Sequence, residues 1–111
     1  GVLWLQNERD SHMMYGALQY ESNLRELIAA WRRDWEATTL PVIMMDSHTH
    51  LANGGPIVHD AIVAVCATTS HVAWVPCRDL PTWEGVHFNT TGVTIPGQRL
   101  ADASLTMTTE P

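Results

Sequence analysis

Lysine is missing altogether, and all six basic residues are arginine. Against 12 acidic residues they leave a formal net charge of −6. Without clustered Lys and Arg there is no counterion release to drive binding to a phosphate backbone, so nucleic acid is not an expected partner. Cysteine is scarce: Cys66 and Cys77 are too few for a disulfide scaffold and read as free, buried thiols. Charged residues make up only 16% beside 45% hydrophobic ones, which excludes a disordered, highly charged chain. Long apolar runs are also missing. The longest, residues 41–45 and 62–65, fall far short of a bilayer span, and no membrane partner is expected. The chain opens on Gly-Val-Leu-Trp with no charged leader, so the compartment stays open. No repeat and no low-complexity segment is visible.

The 111 residues that are present suit one domain, expected over 1–111. Residues 2–5 read as a short buried strand, and 6–14 as a polar loop. A helix follows, its stripe of Tyr20, Leu24, Leu27, Ile28, Trp31 and Trp35 recurring every three or four residues. Trp31 and Trp35 are expected in the core. The helix ends before Thr38-Thr39-Leu40-Pro41, where β-branched residues and proline oppose it. The apolar run 41–45 predicts a strand covered on both faces. After a loop over 47–56, a second helix fits Val58, Ala61, Ile62, Val65, Cys66 and Thr69. Residues 71–75 predict a third strand and 77–89 a loop. Thr90 or Thr91 is placed to cap a last helix carrying Ile95, Leu100 and Ala103, with Pro96 acceptable only in its first turn.

The order β-α-β-α-β-α predicts an α/β fold, a three-layer, flavodoxin-like α/β/α sandwich with a parallel sheet. Ligands of such sheets sit beyond the carboxyl ends of the strands. Three loops occupy that edge: 6–14, 46–56 and 77–89.

Each of these loops carries candidate chemistry. Gln6, Asn7 and Glu8 follow the first strand, where carboxamides can donate to an oxyanion and a carboxylate can orient its neighbours. A polar turn explains them equally. Glu84 lies three residues before His87, a spacing that can hold an imidazole in one tautomer for base catalysis. A surface loop also produces such a pair. Asp46-Ser-His-Thr-His50 admits three readings. Asp46, His48 and His50 resemble a metal-ligand run, although a catalytic metal needs three or four supported ligands. Ser47 after an apolar strand suits a nucleophile. The third reading is a polar loop that happens to hold two histidines. Trp83, beside His87, is placed to stack on a ligand.

Three stretches in order resemble the sialate O-acetylesterase-like branch of the SGNH/GDSL hydrolases, which includes carbohydrate and acetylxylan esterases. Gly1-Val-Leu-Trp-Leu-Gln-Asn-Glu8 is similar to that branch's G-V-x-W-x-Q-G-E block. Leu24 through Arg32, then Leu40-Pro41, is similar to its L-x-x-L-I-x-x-W-R helix and L-P strand. Asp79-Leu-Pro81, Glu84-Gly-Val-His-Phe-Asn89, Gly92 and Arg99-Leu-Ala-Asp102 are similar to its D-L-P, D-G-V-H-F-N, G and R-L-A-D tail.

The resemblance implies a serine ester hydrolase acting on acetylated carbohydrate or another small ester, with no cofactor. It makes His87 the general base and Glu84 the acid that orients it, where the family has aspartate. Gln6 falls near the oxyanion hole, with Glu8 in support. Asn7 replaces a glycine, and the longer Glu84 needs a loop shift of about 1 Å. The family's nucleophile block and first strands have no counterpart here. The chain is therefore expected to be a partial SGNH domain that hydrolyses esters poorly or not at all by itself, because base and acid without a nucleophile leave only weak water activation. A bared strand edge predicts a homo-oligomer or pairing with another chain. The imidazole of His87 and the amide of Gln6 are expected to share a pocket.

Overall fold

The computed structural model describes residues 1–46, 52–85 and 87–109. Its elements run β1 (Val2–Trp4), α1 (Glu8–His12), α2 (Met14–Asp34), β2 (Val42–Asp46), α3 (Gly55–Thr68), β3 (Val72–Pro76) and α4 (Thr90–Thr109). The three strands form one parallel sheet in the order β1-β2-β3. Leu3 pairs with Ile43, and Ile43 with Ala73.

Alternation along β2 divides the core. Val42 and Met44 point into one cluster with Ala17, Tyr20, Leu24 and Ile28 of α2 and Val58, Ala61, Ile62 and Val65 of α3. Ile43 and Met45 point the other way, into a cluster with Val75, Cys77, Leu80 and Leu100, packed by Ile95, Ala103 and Met107 of α4. Successive side chains of a strand face opposite sides. All five residues of β2 are buried because α2 and α3 cover one face and α4 the other. The expected three-layer α/β/α architecture is therefore present. Burial pushes the thiols of Cys66 and Cys77, which are both free, up to about 11.

Four local expectations are corrected. Within residues 6–14, Glu8–His12 form the short helix α1. Trp35 is 58% exposed rather than in the core, and it stacks on Trp31 with ring centroids 6.3 Å apart. It caps the C-terminus of α2, beyond the last turn that meets the sheet. Pro96 lies inside α4, past its first turn, where it forfeits one backbone hydrogen bond. The cap of α4 is neither threonine. Asn89 precedes the helix and its Oδ1 accepts from the Gly92 amide at 2.9 Å, the side-chain capping bond expected of Asn. Among the described residues, no helix is long and apolar enough to cross a membrane.

Candidate active site

Because the strands are parallel, all three loops with candidate chemistry leave the same edge of the sheet. The loop after β3 folds into a short hairpin. Thr82 and Phe88 form an antiparallel bridge. The Trp83 amide donates to the His87 carbonyl at 2.8 Å, and the Asn89 amide to the Pro81 carbonyl at 3.2 Å. Gly85, with φ of 87°, supplies the left-handed backbone in the turn, which glycine adopts at little cost. This turn brings Glu84 Oε1 into hydrogen-bond contact with His87 Nδ1. The glutamate thus reaches the ring despite its extra methylene. A carboxylate at Nδ1 holds the ring proton there and leaves the Nε2 lone pair to accept a proton. Both side chains are exposed.

The base of the hairpin is clamped. Arg99 of α4 makes a two-pronged ion pair with Asp79, its Nη1 lying 2.7 Å from Oδ1, and also donates to the Pro76 carbonyl at the end of β3. These bonds hold the Asp79 carboxyl down to about 2. The Asp79-Leu-Pro and Arg99-Leu-Ala-Asp stretches thus meet in space.

The candidates after β1 serve other partners. The Gln6 amide donates to Asp10 Oδ2 at 3.1 Å. It lines a cavity of about 100 Å³ with Trp4, Asp10, Tyr20, Asn23, Leu24 and Leu27. Asn7 is buried, and its Nδ2 donates to the Met45 carbonyl at 2.6 Å, tying the end of β1 to β2. The side chain that replaces glycine therefore has a structural partner. Glu8 opens α1, and its carboxylate accepts from the Asn7 amide at 3.4 Å. Trp83 is 75% exposed and borders a separate cleft beside the hairpin.

Of the run after β2, Ser47, His48, Thr49 and His50 lie outside the described residues. Asp46 is described and fully buried. Its Oδ2 lies 2.9 Å from His59 Nδ1 and 3.3 Å from Arg78 Nε, and His59 meets Trp74 edge-on at 5.3 Å. From the sequence His59 is only a nearby extra at a helix start beside the Asp46–His50 run, and its ion pair with Asp46, shared with Arg78, is a finding of the structure. Asp46 and His59 are 13 positions apart, and only the fold of α3 back onto β2 joins them. The apolar stripe of α3 was the one signal that could have placed His59 beside the strand end. Among the described residues, no three His, Cys, Asp or Glu side chains form a group able to hold a metal ion.

A family model described as carbohydrate esterase, sialic acid-specific acetylesterase, matches residues 1–106. The chain belongs to this family. The X-ray structure of a protein from Arabidopsis thaliana is similar to this chain, with a TM-score of 0.87 and 28% identity. The match covers 96% of this chain and 44% of the plant protein, so the chain spans less than half that protein's length. The comparison with curated proteins gave no match. Family and fold agree with the resemblance drawn from the three sequence blocks.

Proposed function

We propose that the chain carries the acid–base part of an ester-hydrolase site for O-acetylated carbohydrate, with His87 as the general base and Glu84 as the residue that orients it. The observation that carries this reading is the contact between Glu84 Oε1 and His87 Nδ1 at the carboxyl edge of the sheet. In that arrangement Nε2 takes the proton from the attacking hydroxyl or water, and the glutamate steadies the imidazolium that forms. The proton then passes from Nε2 to the leaving sugar oxygen; when water attacks, acetate is the other product, and when a serine attacks, the acetyl ester formed on it is cleaved by a water that Nε2 deprotonates in turn, which frees acetate and the serine. Ser47 remains the sequence candidate for the nucleophile, and Gln6 and Glu8 are proposed supporting groups.

The test is acetate release from a small aryl acetate and from acetylated xylo-oligosaccharide. Since the rate of the isolated chain is expected to be low, the ratio between variants is the readout. We expect His87→Ala to lower the rate at least about a hundred-fold, the usual worth of a positioned base. Glu84→Gln should lower it less and flatten its pH profile. Rates unchanged in both variants would sink the proposal. Ser47→Ala and fluorophosphonate labelling together report whether Ser47 attacks the ester.

A second reading, a non-catalytic α/β module for binding or assembly, is favoured by one observation. The carboxamides of Gln6 and Asn7 already have partners within the fold, Asp10 and the Met45 carbonyl. Under that reading neither variant changes the rate.

A further inference from the structure

Trp83 stands on the hairpin with three quarters of its surface in water. So large an apolar side chain held on a braced turn costs hydrophobic free energy unless something covers it. The cleft it borders has a volume of about 340 Å³ and is lined by Thr82, Trp83, Asn89, Thr90 and Thr91. That volume falls at the lower end of small-molecule sites, roughly 300–1,000 Å³.

The lining has a definite chemistry. It offers one aromatic face, three hydroxyls and one carboxamide, and no charged group. The carboxamide is already oriented, because Asn89 Oδ1 caps α4 through the Gly92 amide, which leaves the Nδ2 side of the group turned away from that bond. A flat indole beside short neutral donors and acceptors matches a ring with an apolar C–H face and equatorial hydroxyls. An anionic ligand is disfavoured. The nearest ionised side chain on the hairpin is the carboxylate of Glu84, and the whole chain carries −6.

The cleft is also next to the dyad. Trp83 and His87 are bonded directly through their backbones across the hairpin, N to O at 2.8 Å, so the residue that borders the cleft and the residue that carries the imidazole sit opposite each other on one hairpin.

We propose that Trp83, Asn89, Thr90 and Thr91 form a subsite for a neutral pyranose ring and set the preference of the site for uncharged over sialate-type acetylated sugars. This rests on the reading of His87 as the base of an ester hydrolase, but its test does not. The measurement is a ligand-detected NMR titration of the whole chain with methyl β-xyloside diacetate, and in parallel with N-acetylneuraminic acid.

We expect saturable binding of the xyloside, weakened about ten-fold by Trp83→Ala and largely kept by Trp83→Phe, which retains a stacking face. Thr90→Val with Thr91→Val should weaken it in the same direction. Trp35→Ala, which removes the other strongly exposed tryptophan, should leave it unchanged. The neuraminic acid should bind more weakly than the xyloside. No saturable binding, equal binding by Trp83→Ala, or tighter binding of the anionic sugar would each overturn the proposal. Circular dichroism checks that the variants fold. Xyloside binding without His87-dependent hydrolysis would leave the subsite standing and remove the esterase reading.

Discussion

Asp79 is a surface carboxylate, yet its two hydrogen bonds from Arg99 hold its titration at about 2 instead of the ordinary 3.8. A depressed folded-state value means that the ionised form is the one folding favours. The contribution is fully present above 3.8 and is lost as pH falls through about 2. We expect acid titration of stability to show this loss in the native chain and to flatten in Asp79→Asn. Equal acid sensitivity in the two proteins would show that the pair contributes nothing. Exposure and salt screening keep the effect small. At this scale the sequence was unevenly readable. Glu84 and His87 lie three residues apart, and a turn is enough to join them. Asp79 and Arg99, or Asp46 and His59, meet only after strands and helices have packed. Asn7 read as an anomaly in a glycine position because the carbonyl it bonds belongs to a different strand.

The elements were more legible than their junctions. Apolar runs and stripes specify β2, β3, α2 and α3, since burial on two faces or one leaves a distinct period. Helix α1 was hidden because five polar residues carry no stripe. The extent of α4 was misjudged at Pro96, where packing on β2 and β3 overrides a local penalty. The start of α4 also explains Gly92. A Cβ there would lie 2.2 Å from the Pro81 carbonyl oxygen and 3.2 Å from Phe88 Cβ. Backbone cannot retreat cheaply from such a contact. Gly92→Ala should destabilise the chain by about 1–3 kcal/mol, the usual cost of forced overpacking. Chemical denaturation reads this directly, and a midpoint equal to the native one would refute the close approach of hairpin and helix. The same variant should disturb the hairpin and with it the geometry of Glu84 and His87.

For the molecule as a whole, the unequal covering of the sheet matters most. Leu3 pairs in register with Ile43 and so faces the side that α4 covers over β2 and β3. Leu3 itself remains 62% exposed, and Leu5 49%. β1 also stands at the edge of the described sheet, where unpaired backbone groups invite another strand. We expect the chain to self-associate at micromolar concentration, or to pair with another chain offered to it. Leu3→Lys, which places charge on the bare face, should shift sedimentation toward monomer. A native chain that sediments as a monodisperse monomer would rule this out.

The hairpin after β3 is fastened at its foot by the Thr82–Phe88 bridge and the Asp79–Arg99 clamp, whereas a Cβ at Gly85 would touch nothing within 4 Å. In the proposed subsite Trp83 is the one ring-stacking member, and it stands away from the clamp that fastens the foot. Exchanging the tip side chain is a route to new ligand preference that leaves the scaffold untouched, and a library randomised at position 83, with Gly85 kept for its left-handed φ of 87°, would sample it without a folding penalty at the foot.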